Sequence, residues 1–241
     1  MEQLKEPQRI VVFDFDCTLA NPKSRDFYAN HSEKTLACIA NYFDITKIEA
    51  KNISNSLKNN GFRHELALFQ SNLVSVVAPQ IPEKPPETTL LHTALSEIDP
   101  TGHFLPDPAL VASLRELHTE SKLCLISNSP MPLVQKIAGI IGFDLEKDFD
   151  YIDCYHPDAP MPKMVNPEKV FESVKQYFGV TQRDMIFSVG DTLKNDITPA
   201  KAKGFSTIFI TEDVATGDSQ ADYAVANVFG AFNILKKFMP I

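Results

Sequence analysis

The residues of this chain able to hold a cation, move a proton or bind an oxyanion follow apolar runs. Asp14 and Asp16 stand two apart directly after Ile10-Val11-Val12-Phe13. Two like charges that close are costly unless a cation or a shared proton lies between them. Ser127 and Asn128 follow Leu123-Cys124-Leu125-Ile126, and Asp191 follows Met185-Ile186-Phe187-Ser188-Val189-Gly190, with Asn195 and Asp196 close behind. Lys163 lies between these two groups in a proline-rich stretch. Clustered carboxylates suit Mg²⁺, which takes a few carboxylates together with waters and phosphate oxygens. A hydroxyl and backbone N–H groups at a helix start suit an oxyanion, and a lysine adds a point charge.

These residues need a frame that brings them together. The run at 10–13 is apolar at every position and mostly β-branched, the pattern of a strand buried on both faces of a parallel sheet. Alternation along such a strand would point Asp14 and Asp16 the same way at its carboxyl end. From residue 104 onward, helix and strand signals alternate. Helices are expected at 107–121, 133–141, 168–178 and 228–238, another ending near Ala202, and strands at 123–126, 151–155, 185–189, 207–210 and 223–225. Lys163 is expected in a loop. This alternation predicts an α/β fold, a doubly wound parallel Rossmann-like sheet, with its ligands at the carboxyl ends of the strands.

Residues 21–103 differ. They show helical spacing and proline-rich connectors without a convincing buried strand, and Thr46 with Glu49 has the spacing of a capping box. Their 8 basic and 9 acidic residues nearly balance, so most of the chain's net charge of −8 belongs to the rest. The expected organisation is a core of residues 1–20 and 104–241, with a helical domain of residues 21–103 inserted after the first strand.

Composition narrows the function. Apolar content of 44% and charged content of 22% are ordinary for a globular protein. The acidic balance argues against nucleic acid or an anionic membrane as partner, because no basic excess exists to neutralise phosphates. Cys17, Cys38, Cys124 and Cys154 have neither disulfide-framework nor zinc-site spacing, and no apolar run is long enough to cross a membrane. A reducing, cytoplasmic setting is expected.

A crevice holding these groups could carry out phosphoryl chemistry. An aspartate can attack phosphorus and form an acyl phosphate while a neighbour handles protons. The obstacle is charge repulsion, roughly 4 kcal/mol for two unit charges about 4 Å apart at an effective dielectric of 20. A dication and Lys163 would offset it.

Four ordered elements now stand out: Asp14-Phe15-Asp16-Cys17-Thr18, Ser127, Lys163, and Gly190-Asp191-Thr192-Leu193-Lys194-Asn195-Asp196. In this order the chain resembles the haloacid dehalogenase superfamily of phosphohydrolases over about two thirds of its length. The resemblance implies that Asp14 is nucleophile and metal ligand. Asp16 would be the acid and base, with its carbonyl on the metal, and Thr18 would hold the loop. It implies that Ser127 and the Asn128 backbone bind the phosphoryl group and that Lys163 braces nucleophile and phosphate. Asp191 would ligate Mg²⁺, with Asp196 behind it, and residues 21–103 would be a helical cap in which Asn60, Arg63 and His64 occupy a loop suited to substrate selection. Two departures stand in the sequence. Cys17 replaces the usual glycine or asparagine, and the lysine segment, Lys163-Met164-Val165-Asn166-Pro167-Glu168, is one residue longer than the common pattern, leaving Lys169 as a second candidate.

The activity implied is a Mg²⁺-dependent phosphatase on a small phosphorylated metabolite, such as a nucleotide or sugar phosphate. Alternatives are a phosphomutase and an inactive phosphate-binding or interaction module. A dehalogenase is disfavoured because the acid at Asp16 is not needed to expel halide. Simpler readings also exist for single residues: Ser127 as a helix cap, Lys163 as a solvated loop lysine, and Asp196 as a first-turn acid favoured by the helix dipole.

Overall fold

The computed structural model describes residues 8–24, 95–156, 162–212 and 220–238, with shorter pieces at 26–27, 33–34, 36–37, 40–41, 44–52 and 92–93. Six parallel strands form one sheet in the order β3-β2-β1-β4-β5-β6, where β1 is Arg9–Asp14, β2 Lys122–Pro130, β3 Tyr151–Tyr155, β4 Met185–Gly190, β5 Ser206–Ile210 and β6 Tyr223–Val225. The helices between them are α1 (Pro108–His118), α2 (Met131–Ile141), α3 (Leu145–Asp148), α4 (Pro162–Val165), α5 (Pro167–Phe178), α6 (Thr198–Ala202) and α7 (Val228–Lys236).

β1 is central because both of its faces are apolar. Val11 and Phe13 pack with α1, α2 and α7 on one side, while Ile10 and Val12 pack with α5 and α6 on the other. This is the three-layer, doubly wound arrangement expected of a strand without polar alternation. The strand and helix patterns read from the sequence beyond residue 104 correspond to these elements, with four local differences.

Lys163 lies on the single helical turn α4, not in a loop. β2 runs on to Pro130, past Ile126, and its register with β3 shifts between Ser127 and Pro130. Leu145–Asp148 adds a helical turn capped by Asp144. The helix expected up to Ala202 is split into a π-helical turn, Leu193–Ile197, followed by α6. Pro199 gives the reason: it has no N–H to donate four residues back, and its ring crowds the carbonyl there.

The largest difference concerns the first strand. It ends at Asp14, and residues 15–20 form a tight turn closed by a parallel bridge between Asp16 and Ala20. The Leu19 and Ala20 N–H groups donate to the Phe15 carbonyl at 3.0 and 2.8 Å, and Cys17 N–H donates to the Ala20 carbonyl at 2.9 Å. Asp14 and Asp16 therefore do not share one strand face. Within this turn Cys17 is left-handed, with φ of +59°.

After this turn the chain enters residues 21–103. The N–H of Lys23 donates to the His103 carbonyl at 2.8 Å, so departing and returning chain lie side by side. The Phe27 ring packs on those of His103 and Phe104 at centroid distances of 5.3 and 4.9 Å. Within the segment, Thr46 and Glu49 form the expected reciprocal cap: Thr46 N–H donates to Glu49 Oε2 at 2.7 Å, and Glu49 N–H to Thr46 Oγ1 at 3.2 Å. Asn60, Arg63 and His64 lie outside the described residues, as does Cys38.

The three described cysteines form no disulfide. Among the described residues no helix is long and apolar enough to cross a membrane. A β-carbon at left-handed φ costs about 1 kcal/mol that glycine avoids. Cys17→Gly is therefore expected to stabilise the fold by about that amount in urea unfolding, and a lower midpoint for the glycine variant would contradict the strain assigned to this turn.

Candidate active site at the carboxyl edge of the sheet

Because every strand is parallel, the carboxyl ends of β1, β2 and β4 lie along one edge. β1 presents Asp14 as its last residue, and the chain after β4 presents Asp191 and Asp196. One carboxylate oxygen of each of these three aspartates lies within 4.8 Å of the others.

The local sequence after β4 explains how Asp196 reaches this group. The π turn swings Asp196 back beneath the end of the strand, where Ser188 Oγ donates to its carbonyl at 2.8 Å. Its Oδ2 accepts the Thr192 N–H at 3.0 Å. A β-carbon at position 190 would lie 2.4 Å from the Asp196 Cβ, so Gly190 is the residue that admits Asp196. Thr192 Oγ1 meanwhile donates to Asp191 Oδ1 at 3.1 Å.

Lys163 enters from α4, which packs on the ends of β2 and β3. Its ammonium is buried and donates to Asp14 Oδ1, and also to Asp196 Oδ1 at 2.8 Å. Lys169, the second candidate, is exposed on α5. The lysine turn is fixed by Asn128, whose side-chain Oδ1 accepts the Lys163 backbone N–H at 2.9 Å. The sequence reading assigned only the Asn128 backbone a role. Its side-chain bond joins residues 35 apart in sequence, and no local spacing announces it.

Asp16 lies beside this group and not within it. Its Oδ2 accepts from Ser127 Oγ at 3.1 Å and from Ser129 Oγ at 2.8 Å. Ser127 does not cap α2: that helix starts after Pro130 without a side-chain cap bond. Thr18 is fully buried within the turn, with its hydroxyl unpaired. Ser129 had no assignment in the sequence. It stands two residues after Ser127, a serine spacing that could have singled it out.

The electrostatics follow from burial. Desolvation raises Asp14 well above the ordinary carboxylate range. Lys163 pulls it back, while Asp196, Asp191 and Asp16 push it further up. Burial, with the charge of Asp196, raises Asp191 to about 6. Burial alone would lower Lys163, yet Asp14 and Asp196 outweigh that and raise it, so the ammonium stays charged. One lysine thus faces three carboxylates, leaving excess negative charge in a desolvated site. Three hard oxygen donors with uncompensated charge fit a divalent cation such as Mg²⁺.

No family model matches the chain, and no curated protein matches it in sequence. Solved structures do match its fold. A phosphatase of the haloacid dehalogenase type from Thermococcus onnurineus is 20% identical, with 95% of this chain and 98% of that chain covered at a TM-score of 0.60. A 2-haloacid dehalogenase from Pseudomonas syringae is 18% identical, covering 96% and 99% at 0.57. A putative hydrolase of this type from Bacillus subtilis, described as bound to magnesium, is 17% identical, covering 96% and 100% at 0.54. The chain therefore has the fold of the haloacid dehalogenase superfamily.

The raised carboxylates make a signed prediction. Asp191 titrates near 6 when folded and near 3.9 when unfolded, so the folded state binds the proton more tightly. Its contribution is complete below about pH 4 and is lost as the pH rises through about 6. In metal-free buffer this site should erode stability over that interval. Added Mg²⁺ should raise the melting temperature more at about pH 7.5 than at about pH 5, because protons compete for the same oxygens. Equal Mg²⁺ shifts at both pH values would contradict the carboxylate site.

Proposed function

We propose that the protein is a phosphatase that hydrolyses small phosphate monoesters through an aspartyl phosphate on Asp14, with residues 21–103 as a lid over the site. The observation that carries this reading is the buried Lys163 ammonium shared by Asp14 and Asp196 with Asp191 alongside. Asp14 and Asp191, with the Asp16 carbonyl, would hold Mg²⁺, with Asp196 behind them bonded to Lys163 and the Thr192 N–H. The magnesium described for the Bacillus subtilis neighbour supports that choice of ion. When bound, the ion supplies positive charge that offsets repulsion between the carboxylates and an anionic phosphate.

The steps assigned to the chain follow from position. The substrate phosphoryl group lies between Asp14 and the Ser127 hydroxyl, with Lys163 beside it. Asp14 attacks phosphorus, the ester P–O bond breaks, and Asp16 gives its proton to the leaving oxygen. Water then attacks the aspartyl phosphate while Asp16 takes its proton. Inorganic phosphate leaves and Asp14 is regenerated. Lys163 favours the ionised form of Asp14 and orients it, and the Asn128 side chain fixes the lysine turn. The Lys23–His103 backbone pair places both ends of the lid segment together, the arrangement a hinge requires.

The fold is also that of a 2-haloacid dehalogenase. Asp16, paired with hydroxyl donors beside the nucleophile, favours phosphate esters, because an alkoxide leaving group needs a proton and a halide does not. In a mutase the phosphoryl group would return to the substrate, and in a binding module it would not move. Small phosphorylated metabolites, nucleotide or sugar phosphates among them, are the substrate class, in a cytoplasmic setting.

With Mg²⁺, the protein should release inorganic phosphate from p-nitrophenyl phosphate. EDTA and Asp14→Asn should each abolish release, and Asp16→Asn should slow phenyl phosphate turnover about 10²- to 10⁴-fold. Absence of phosphate release across a broad panel of metabolite phosphates would sink the reading. Transfer within a sugar phosphate, without release, would convert it to a mutase.

A further inference from the structure

We propose that Ser129 is a positioning residue for Asp16, the one that keeps the carboxyl in place once Ser127 turns to a phosphoryl group. The inference rests on the phosphatase reading, in which Asp16 is the acid. Both hydroxyls donate to Asp16 Oδ2, Ser127 at 3.1 Å and Ser129 at 2.8 Å.

The two serines are not equivalent. Ser127 Oγ accepts the Ser129 N–H at 2.9 Å, so its oxygen is held by the backbone and its single proton can serve one acceptor at a time. When that proton goes to a phosphoryl oxygen, the longer of the two bonds to Asp16 is lost. Ser129 is under no such competition. It makes the shorter bond, is buried at 8% exposure, and sits where the register of β2 against β3 shifts, just before Pro130 opens α2. Proline at the following position also restricts the Ser129 backbone to extended conformations.

Asp16 needs such a holder. It belongs to the turn at 15–20, not to β1, and the ladder that fixes Asp14 does not extend to it. Asp14 lies close enough to interact with it electrostatically. Two hydroxyl donors on the β2 side hold the Asp16 carboxyl beside the phosphate-binding serine. On this reading Ser129 fixes the distance between the proton of Asp16 and the leaving oxygen.

A positioning role can be separated from a structural one by changing the leaving group. Phenyl phosphate and p-nitrophenyl phosphate are nearly the same size, but only the phenolate leaving group depends strongly on protonation. For Ser129→Ala, kcat with phenyl phosphate should fall about ten- to hundredfold further than kcat with p-nitrophenyl phosphate, with KM little changed for either. Ser129→Thr, which keeps the hydroxyl, should restore the ratio. An equal fall on both substrates, or failure of threonine to restore the ratio, overturns the assignment of Ser129 and leaves the phosphatase reading intact. If the unmodified protein releases phosphate from neither ester, the phosphatase reading fails, and this inference with it.

Discussion

The site depends on one buried ammonium. Lys163 joins Asp14, at the end of the central strand, to Asp196, on the π turn after β4, and no other described cation lies among these acids. Removing one partner of a buried, hydrogen-bonded charge pair leaves the other uncompensated, at a cost of about 3–5 kcal/mol. Much nearby structure serves this contact. Gly190 leaves room for the Asp196 side chain, Ser188 holds its carbonyl, Thr192 donates to its other oxygen, and Asn128 anchors the turn that carries Lys163. The arrangement is still short of positive charge, a deficit that a divalent ion would offset.

The position of β1 makes the contact possible. With both faces apolar, the strand is buried at the centre of the sheet and flanked by β2 and β4, the strands whose ends carry Ser127 and Asp191. The tight turn after Asp14 then separates two acids that stand two apart in sequence. Asp14 faces the lysine, and Asp16 faces two serine hydroxyls. That separation gives chemically identical side chains different surroundings, which under the proposed mechanism suit one to nucleophilic attack and the other to proton transfer.

Much of this was legible in the sequence because periodicity and burial agree. Ile10-Val11-Val12-Phe13 reads as a two-faced strand and is one, and the chain alternates strand and helix after residue 104 as its apolar spacing indicates. The residues were legible by type, since acids, a serine and a lysine at strand ends are conspicuous. The misread details depend on geometry that spacing does not encode. Alternation placed Asp14 and Asp16 on one face, yet the strand stops at Asp14 and Cys17 turns left-handed. That turn also gives a reason why glycine or asparagine is usual where this chain has cysteine. The π turn needed Pro199 to be read as a break. The roles of the Asn128 side chain and Ser129 rest on contacts across 35 and 113 residues, which no local pattern reveals.

The central claim is that Asp14, held by Lys163, carries the phosphoryl group. It is tested most directly by reductive trapping: the protein is quenched during turnover of p-nitrophenyl phosphate, treated with borohydride, and mapped by peptide mass spectrometry. An aspartyl phosphate is reduced to homoserine, whereas a free carboxylate is not. The account predicts homoserine at position 14 alone, dependent on substrate and Mg²⁺. Steady release of phosphate with position 14 unmodified, or with the modification at another acid, would contradict it.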